Sequence, residues 1–164
     1  MPFAPPNIAI LGDGFPVQAW REALAVHSAV LTMFDPDHTA QDHFVAHPAH
    51  VALAKICATI SSAVEDADLI VDCFPDRLAL KRKALQRIQA HCPQGAVILS
   101  VSAEFDLGAL QGCATRPEQI LHLPRVEAGV LSNSRNAPEV VQKALYWHQQ
   151  LLHTTSTGSK LTRP

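Results

Sequence analysis

No run of residues in this chain approaches the ~18 apolar positions of a membrane-spanning helix, and Met1 to Pro6 lacks the basic and apolar regions of a secretory signal. No charge of one sign dominates either: 13 Lys and Arg stand against 15 Asp and Glu, a formal net charge of -2. That balance offers no basic footprint to nucleic acid and no polybasic face to anionic lipids. The expected location is the cytoplasm, and the expected partner is a small molecule or a protein. Cys57, Cys73, Cys92 and Cys113 include no CxxC pair, so neither a zinc knuckle nor a disulfide framework is indicated, and reduced, mostly buried thiols are expected. No internal repeat or second domain is visible, and 164 residues suffice for one domain with a substantial core.

What is present is an alternation. Asn7 to Leu11 is a short apolar run ending at Gly12, and Val17, Trp20 and Leu24 follow at helical spacing. Ala29 to Phe34 reads as a second strand, stopped by Asp35-Pro36-Asp37. An alanine-rich stretch, Pro48 to Val64, is expected to be helical. Leu69 to Cys73 is a third strand. Pro75-Asp76 then offers a helix start before Leu78, Leu85, Ile88 and Cys92, with Lys81, Arg82, Lys83 and Arg87 mainly on the opposite face. Ala96 to Val101, a short helix from Asp106 to Cys113, a strand from Gln119 to Leu123 and a last helix from Pro138 to His153 complete the pattern. The last helix is expected to turn Val141, Leu145, His148 and Leu152 toward the body. Alternating strands and helices predict a Rossmann-like, doubly wound, mostly parallel sheet in three layers over residues 1–153. The polar tail, 154–164, is expected to be disordered.

The first strand runs into Gly12-Asp13-Gly14. In a dinucleotide fingerprint the first glycine permits the tight turn, the second admits the pyrophosphate to the backbone, and the third lets helix and strand pack closely. Gly12 and Gly14 occupy the first two places; Val17 occupies the third. Asp35 ends the second strand about 20 residues beyond Gly14, where a carboxylate accepts hydrogen bonds from the adenosine ribose. A carboxylate there repels a 2′-phosphate, which favours NAD over NADP. Asp13 places a negative charge beside the expected pyrophosphate, and Val17 adds bulk at the helix. The simpler alternative is a strand-to-helix turn that binds nothing.

From Ala67 to Lys83 the chain reads Ala-Asp-Leu-Ile-Val-Asp, then Asp76, then Leu80-Lys81-Arg82-Lys83. This resembles the NAD-binding domain of 3-hydroxyacyl-CoA dehydrogenases, in which an acidic residue follows this strand and a lysine stands five positions later. The resemblance implies that Asp76 and Lys81 lie near the nicotinamide ribose; a helix cap and a solvated lysine are the plainer reading. It implies a cofactor-binding set of Gly12, Gly14, Phe15, Asp35, Phe74, Asp76, Lys81 and Ser102. Further on, Arg116-Pro117-Glu118-Gln119-Ile120-Leu121-His122 is similar to the turn and strand that end at the family's catalytic histidine. His122 takes that position, and Glu127 is the implied carboxylate that orients it. An imidazole suits the role because it titrates near working pH and can take a hydroxyl proton while hydride leaves the same carbon. Departures lie on the substrate side. Ala103 stands where the family has a substrate-contacting serine, Arg125 replaces an asparagine, and the family's second, helical domain has no counterpart in this sequence.

His38, His43, His47 and His50 crowd one segment, but Pro48 interrupts it and no acidic third ligand is suitably spaced, so no metal site is expected. Ser132-Asn133-Ser134-Arg135-Asn136 reads as the polar loop before the last helix. Cys73 reads as a core residue. Two functions follow. One is an NAD-dependent oxidoreductase acting on a small acyl or acyl-CoA substrate, completed by a homodimer or a partner chain. The other is a dinucleotide-binding or protein-interaction domain without dehydrogenase activity.

Overall fold

The computed structural model describes residues 3–12, 31–34, 54–125 and 128–158. Within them the chain forms β1 (Ile8–Leu11), β2 (Leu31–Phe34), β3 (Ala54–Cys57), α1 (Ile60–Val64), β4 (Leu69–Asp72), α2 (Leu78–His91), β5 (Val97–Val101), α3 (Leu107–Gln111), β6 (Ile120–Leu123) and α4 (Pro138–Gly158). A 3-10 turn, Pro117–Gln119, leads into β6. The strands form a six-stranded sheet in the order β3-β2-β1-β4-β5-β6, parallel at every pairing. This is the doubly wound arrangement the alternation predicts.

The central strands are uniformly buried because each is covered on both faces. Side chains alternate between the two. Ile8, Ile10, Leu69, Val71, Val97, Leu99, Leu121 and Leu123 pack with Val140, Ala144 and Trp147 of α4. Ala9, Leu11, Ile70, Ile98 and Ile120 pack on the other side with Val64, Leu85, Ile88, Leu107 and Leu110 of α1, α2 and α3. Two helical layers thus sandwich the sheet. The N-terminal arm closes over α4: Trp147 Nε1 donates to Ala4 O at 3.2 Å, and the Phe3 ring meets Tyr146 and Trp147 edge-on at 5.7 and 6.3 Å.

Four expectations need correction. The helix expected over Pro48 to Val64 is, where described, β3 followed by the single turn of α1. Thr59 caps α1 by accepting from Ser62 N at 3.1 Å, so no helix runs through from β3. Ala54 to Cys57 instead pairs with Leu31 to Phe34; ladder bonding overrides the helical preference of alanine. The last helix continues to Gly158, beyond the expected start of a disordered tail at 154. Its inward face is Val140, Ala144, Trp147 and His148, while Leu145 is 50% exposed. One residue is about 100° around a helix, and the small Ala144 is what lets α4 approach the sheet. Finally, α2 buries Lys81 alongside Ala84, Leu85, Ile88 and Gln89.

Candidate functional site

The strand order reverses direction between β1 and β4, and in open parallel sheets the crevice outside the carboxyl ends of the strands at that point is where ligands bind. Gly12 follows β1 there. Its φ is +111°, and a Cβ would lie 2.6 Å from Cys73 O and 2.8 Å from Phe74 N. Both conditions demand glycine: the left-handed backbone disfavours a side chain, and the backbone leaving β4 already fills the space. Cys73 N donates to Leu11 O at 2.8 Å, which holds the two strand ends together. The first fingerprint glycine is therefore required by close backbone approach. Gly14, Phe15 and Asp35 lie outside the described residues, as do the helix expected after the glycine loop and the histidines at 38, 43, 47 and 50.

Two carboxylates organise the neighbouring strand ends. Asp72 closes β4 with no exposed surface; its Oδ1 accepts from Phe74 N at 3.0 Å, and its Oδ2 accepts from Ser100 Oγ at 2.7 Å and Lys81 Nζ at 3.3 Å. Lys81 is likewise fully buried. Burying an ion pair is favourable only where further hydrogen bonds satisfy it, and Ser100 and the Phe74 amide do so here. Asp76 is bound separately. Its Oδ1 accepts from Ser102 Oγ at 2.6 Å, and its Oδ2 accepts from Ala103 N at 2.9 Å and Glu104 N at 3.3 Å.

The expected Asp76 and Lys81 pair is thus divided: Lys81 neutralises Asp72, and Asp76 holds the loop after β5. The plainer reading does not hold either. Arg77, not Asp76, is the residue before α2, and it makes no side-chain cap. Asp72 and Ser100 were missed by sequence reasoning. The available signal was a charged residue ending an otherwise apolar buried strand, with a lysine nine positions on.

His122 lies on β6, buried, with Nε2 2.8 Å from Ser102 O. Its backbone pairs with Leu131: His122 N donates to Leu131 O at 3.0 Å, and Leu131 N donates to His122 O at 2.8 Å. That antiparallel bridge brings the chain back along the outer edge of β6. Val126 and Glu127 fall outside the described residues. Asp76, Ser102 and His122 therefore form one connected group at the carboxyl ends of β4, β5 and β6, with Phe74 half-buried beside Gly12. Ala103, the residue after Ser102, is exposed, and so is Arg125 beyond the end of β6.

The amino end of the sheet has a different chemistry. Gln89 Nε2 donates to Arg116 O at 2.6 Å, Gln119 Nε2 to Pro93 O at 3.0 Å and Gln94 O at 2.6 Å, and Gln111 Nε2 to Ile120 O at 3.2 Å. The loop Ser132 to Asn136 joins this network. Asn136 Nδ2 donates to Ile120 O at 2.6 Å, and Asn133 Nδ2 donates to Gln111 Oε1 at 2.7 Å. The Arg116 guanidinium donates to Gln89 O and approaches Cys92 Sγ at 3.6 Å. Burial pushes the Cys92 thiol up, and Arg116 opposes that shift.

No helix among the described residues is long and apolar enough to cross a membrane, and none of their His, Cys, Asp and Glu side chains group as metal ligands. Residues 46–124 match the family model of the 3-hydroxyacyl-CoA dehydrogenase NAD binding domain. An L-carnitine dehydrogenase of Nocardiopsis dassonvillei is 30% identical over 112 residues, covering 68% of this chain and 34% of its own length. An L-carnitine dehydrogenase/betainyl-CoA thioesterase of Ruegeria pomeroyi is 29% identical over 160 residues, covering 83% of this chain and 32% of its own. The chain thus spans about a third of the length of these relatives. Among solved structures, the dehydrogenase part of a multifunctional enzyme from C. elegans superposes with a TM-score of 0.77 at 13% identity, over 89% of this chain and 39% of that one. At that identity the likeness is one of fold.

Proposed function

We propose that the chain binds NAD and serves hydride transfer with a 3-hydroxyacyl substrate, a reading supported by the match of residues 46–124 to the NAD-binding domain of the 3-hydroxyacyl-CoA dehydrogenases. The observation that carries the reading is Gly12, whose missing side chain leaves the β1 turn lying directly on the end of β4 at the point where the strand order reverses. Gly12, Gly14, Phe15, Asp35, Phe74, Asp76 and Ser102 would hold the dinucleotide, with Lys81 acting from beneath through Asp72. When bound, NAD supplies the acceptor for the hydride that leaves the hydroxyl-bearing carbon.

The chain's own task is the proton. His122 takes it from the substrate hydroxyl and returns it in the reverse direction, a contribution of about 10²–10⁴-fold for a well-placed acid and base. Two carboxylates compete to orient the imidazole: Glu127 by sequence position, and Asp76 by its connection through Ser102. Groups that recognise the acyl portion come from outside the described residues, from a second copy, or from a partner chain. The working compartment is the cytoplasm, where the four cysteines, none of them in a disulfide, stay reduced.

NADH and NADPH titrations followed by acetoacetyl-CoA reduction test this. NADH is expected to bind more tightly than NADPH, and His122→Ala is expected to keep NADH binding while losing about 10²-fold or more of the turnover. Failure to bind either nucleotide refutes the proposal. Binding without turnover in the unaltered protein selects the alternative, a dinucleotide-binding or interaction domain, which the exposed Ala103 at the family's serine position favours.

A further inference from the structure

Asp76 is a half-buried carboxylate in the connection between β4 and α2, and its hydrogen-bond donors lie 26 to 28 positions further along the chain. Ser102 Oγ donates to its Oδ1 at 2.6 Å, and the N–H groups of Ala103 and Glu104 converge on its Oδ2 at 2.9 and 3.3 Å. Successive backbone N–H groups aimed at one point form the concavity with which a chain binds an anion. No cation pairs with Asp76 among the described residues, so the dipoles of this loop supply what Lys81 supplies to Asp72.

The rest of the loop is fixed around this contact. Ser102 N donates to Leu123 O at 3.1 Å, and Phe105 N donates to Ser102 Oγ at 3.0 Å. Asp106 ends the loop by capping α3, accepting from Ala109 N at 2.8 Å. Every backbone N–H from Ser102 to Phe105 is thereby bonded within the protein, although Ala103 and Glu104 are exposed. Exposed amides need no protein partner, because water serves them nearly as well. A carboxylate committed to them therefore fixes the shape of the loop. A carboxylate has about four acceptor positions over its two oxygens, and the loop takes three of them.

We propose that Asp76 is a positioning residue, the resident anion of an amide nest that holds the loop after β5 in its substrate-facing shape before any nucleotide arrives. One acceptor position is left for a nucleotide hydroxyl. That the loop faces substrate rests on the hydride-transfer reading above; the nest itself does not. Nucleotide and acyl substrate then meet at a single carboxylate, and Ala103 and Glu104 are presented to the crevice by a rigid backbone.

Amide exchange measured by NMR on the full chain without nucleotide tests the nest. The Ala103 and Glu104 N–H groups are expected to exchange slowly although both residues are exposed. Asp76→Ala is expected to speed both by about tenfold to a hundredfold, the range for a hydrogen bond to a charged group. Sodium formate is then expected to slow them again by filling the vacated nest, and sodium chloride at the same concentration is not. Fast exchange at both amides in the unaltered protein overturns the proposal, as does an Asp76→Ala chain in which they stay slow or in which formate acts no differently from chloride. Should Asp76→Ala not give the dispersed amide spectrum of a folded chain, Asp76→Asn decides, since it keeps the shape and loses the charge. Faster exchange at both amides supports the nest, and unchanged exchange overturns it. The substrate-facing part is read in acetoacetyl-CoA reduction at saturating NADH. There Asp76→Asn is expected to raise KM by about tenfold, the worth of one hydrogen bond, and to change kcat less; turnover with an unchanged KM overturns that part. An unaltered chain that binds no nucleotide refutes the hydride-transfer reading, and a nest demonstrated by exchange stands without it.

Discussion

The two ends of the parallel sheet solve the same problem, satisfying buried polar backbone at the strand termini, with different chemistry. At the amino end the work is done largely by neutral amides: Gln89, Gln111, Gln119 and Asn136 reach backbone carbonyls at the starts of β5 and β6, and Asn133 joins them through the Gln111 side chain, with Arg116 the charged exception. At the carboxyl end it is done by Asp72 and Asp76, one neutralised by a buried lysine and the other by backbone N–H groups and a hydroxyl. Neutral amides satisfy carbonyls without the desolvation penalty of an ion. Charge placed at the carboxyl end is therefore more costly than the fold requires, and it stands where strand order reverses and His122 is held. The difference teaches that the amino end serves stability, while the carboxyl end carries charge beyond that need, as the proposed site requires.

That contrast can be broken most forcefully at Lys81. Lys81→Met leaves Asp72 buried without its counter-ion and is expected to cost about 3–5 kcal/mol in chemical denaturation. Asp72→Asn combined with Lys81→Met should recover most of the loss; a single mutant as stable as the parent would show that the pair is not what balances this end. Gly12→Ala comes next, at about 2–4 kcal/mol from left-handed strain and overlap with the Cys73 carbonyl, and NADH affinity should fall with it. At the amino end, Asn136→Ala is expected to cost about 1–3 kcal/mol by removing its 2.6 Å bond to the Ile120 carbonyl and the side-chain acceptor of Asn133 N. NADH affinity should be unchanged by that substitution, and a matching loss of affinity would dissolve the distinction between the two ends. The smallest effect is expected at Leu145→Lys, within about 0.5 kcal/mol; a loss of several kcal/mol in thermal unfolding would mean that α4 presents the leucine face inward after all.

Much of this was legible in the residues. Strands at Ile8–Leu11, Leu31–Phe34, Leu69–Asp72, Val97–Val101 and Ile120–Leu123 follow from apolar runs bounded by turn residues, because a strand buried on both faces has no polar alternation to disguise it. The edge strand Ala54–Cys57 carries no such signature: Lys55 is exposed and alanine favours helix, so only its neighbour β2 makes it a strand. The inward face of α4 was misread because leucine was given more weight than alanine, although close packing against a sheet selects the smaller side chain. Within the site, His122, Asp76 and Ser102 were identified from motif order, yet their connection through one peptide could not be, since it joins residues 20 and 26 positions apart.

By itself the sequence determined the order of strands and helices apart from the edge strand β3, the glycine at the first turn, and the candidate histidine, because apolar periodicity and local turn chemistry act over a few residues. Only the tertiary structure decided which partner each charged side chain found. Lys81 and Asp76 are five residues apart in sequence but serve different carboxyl-end structures. Burial set that choice: a lysine on the inward face of α2 must pair with the carboxylate at the end of the strand it covers, and Asp76 then turns to the backbone of the loop beside it.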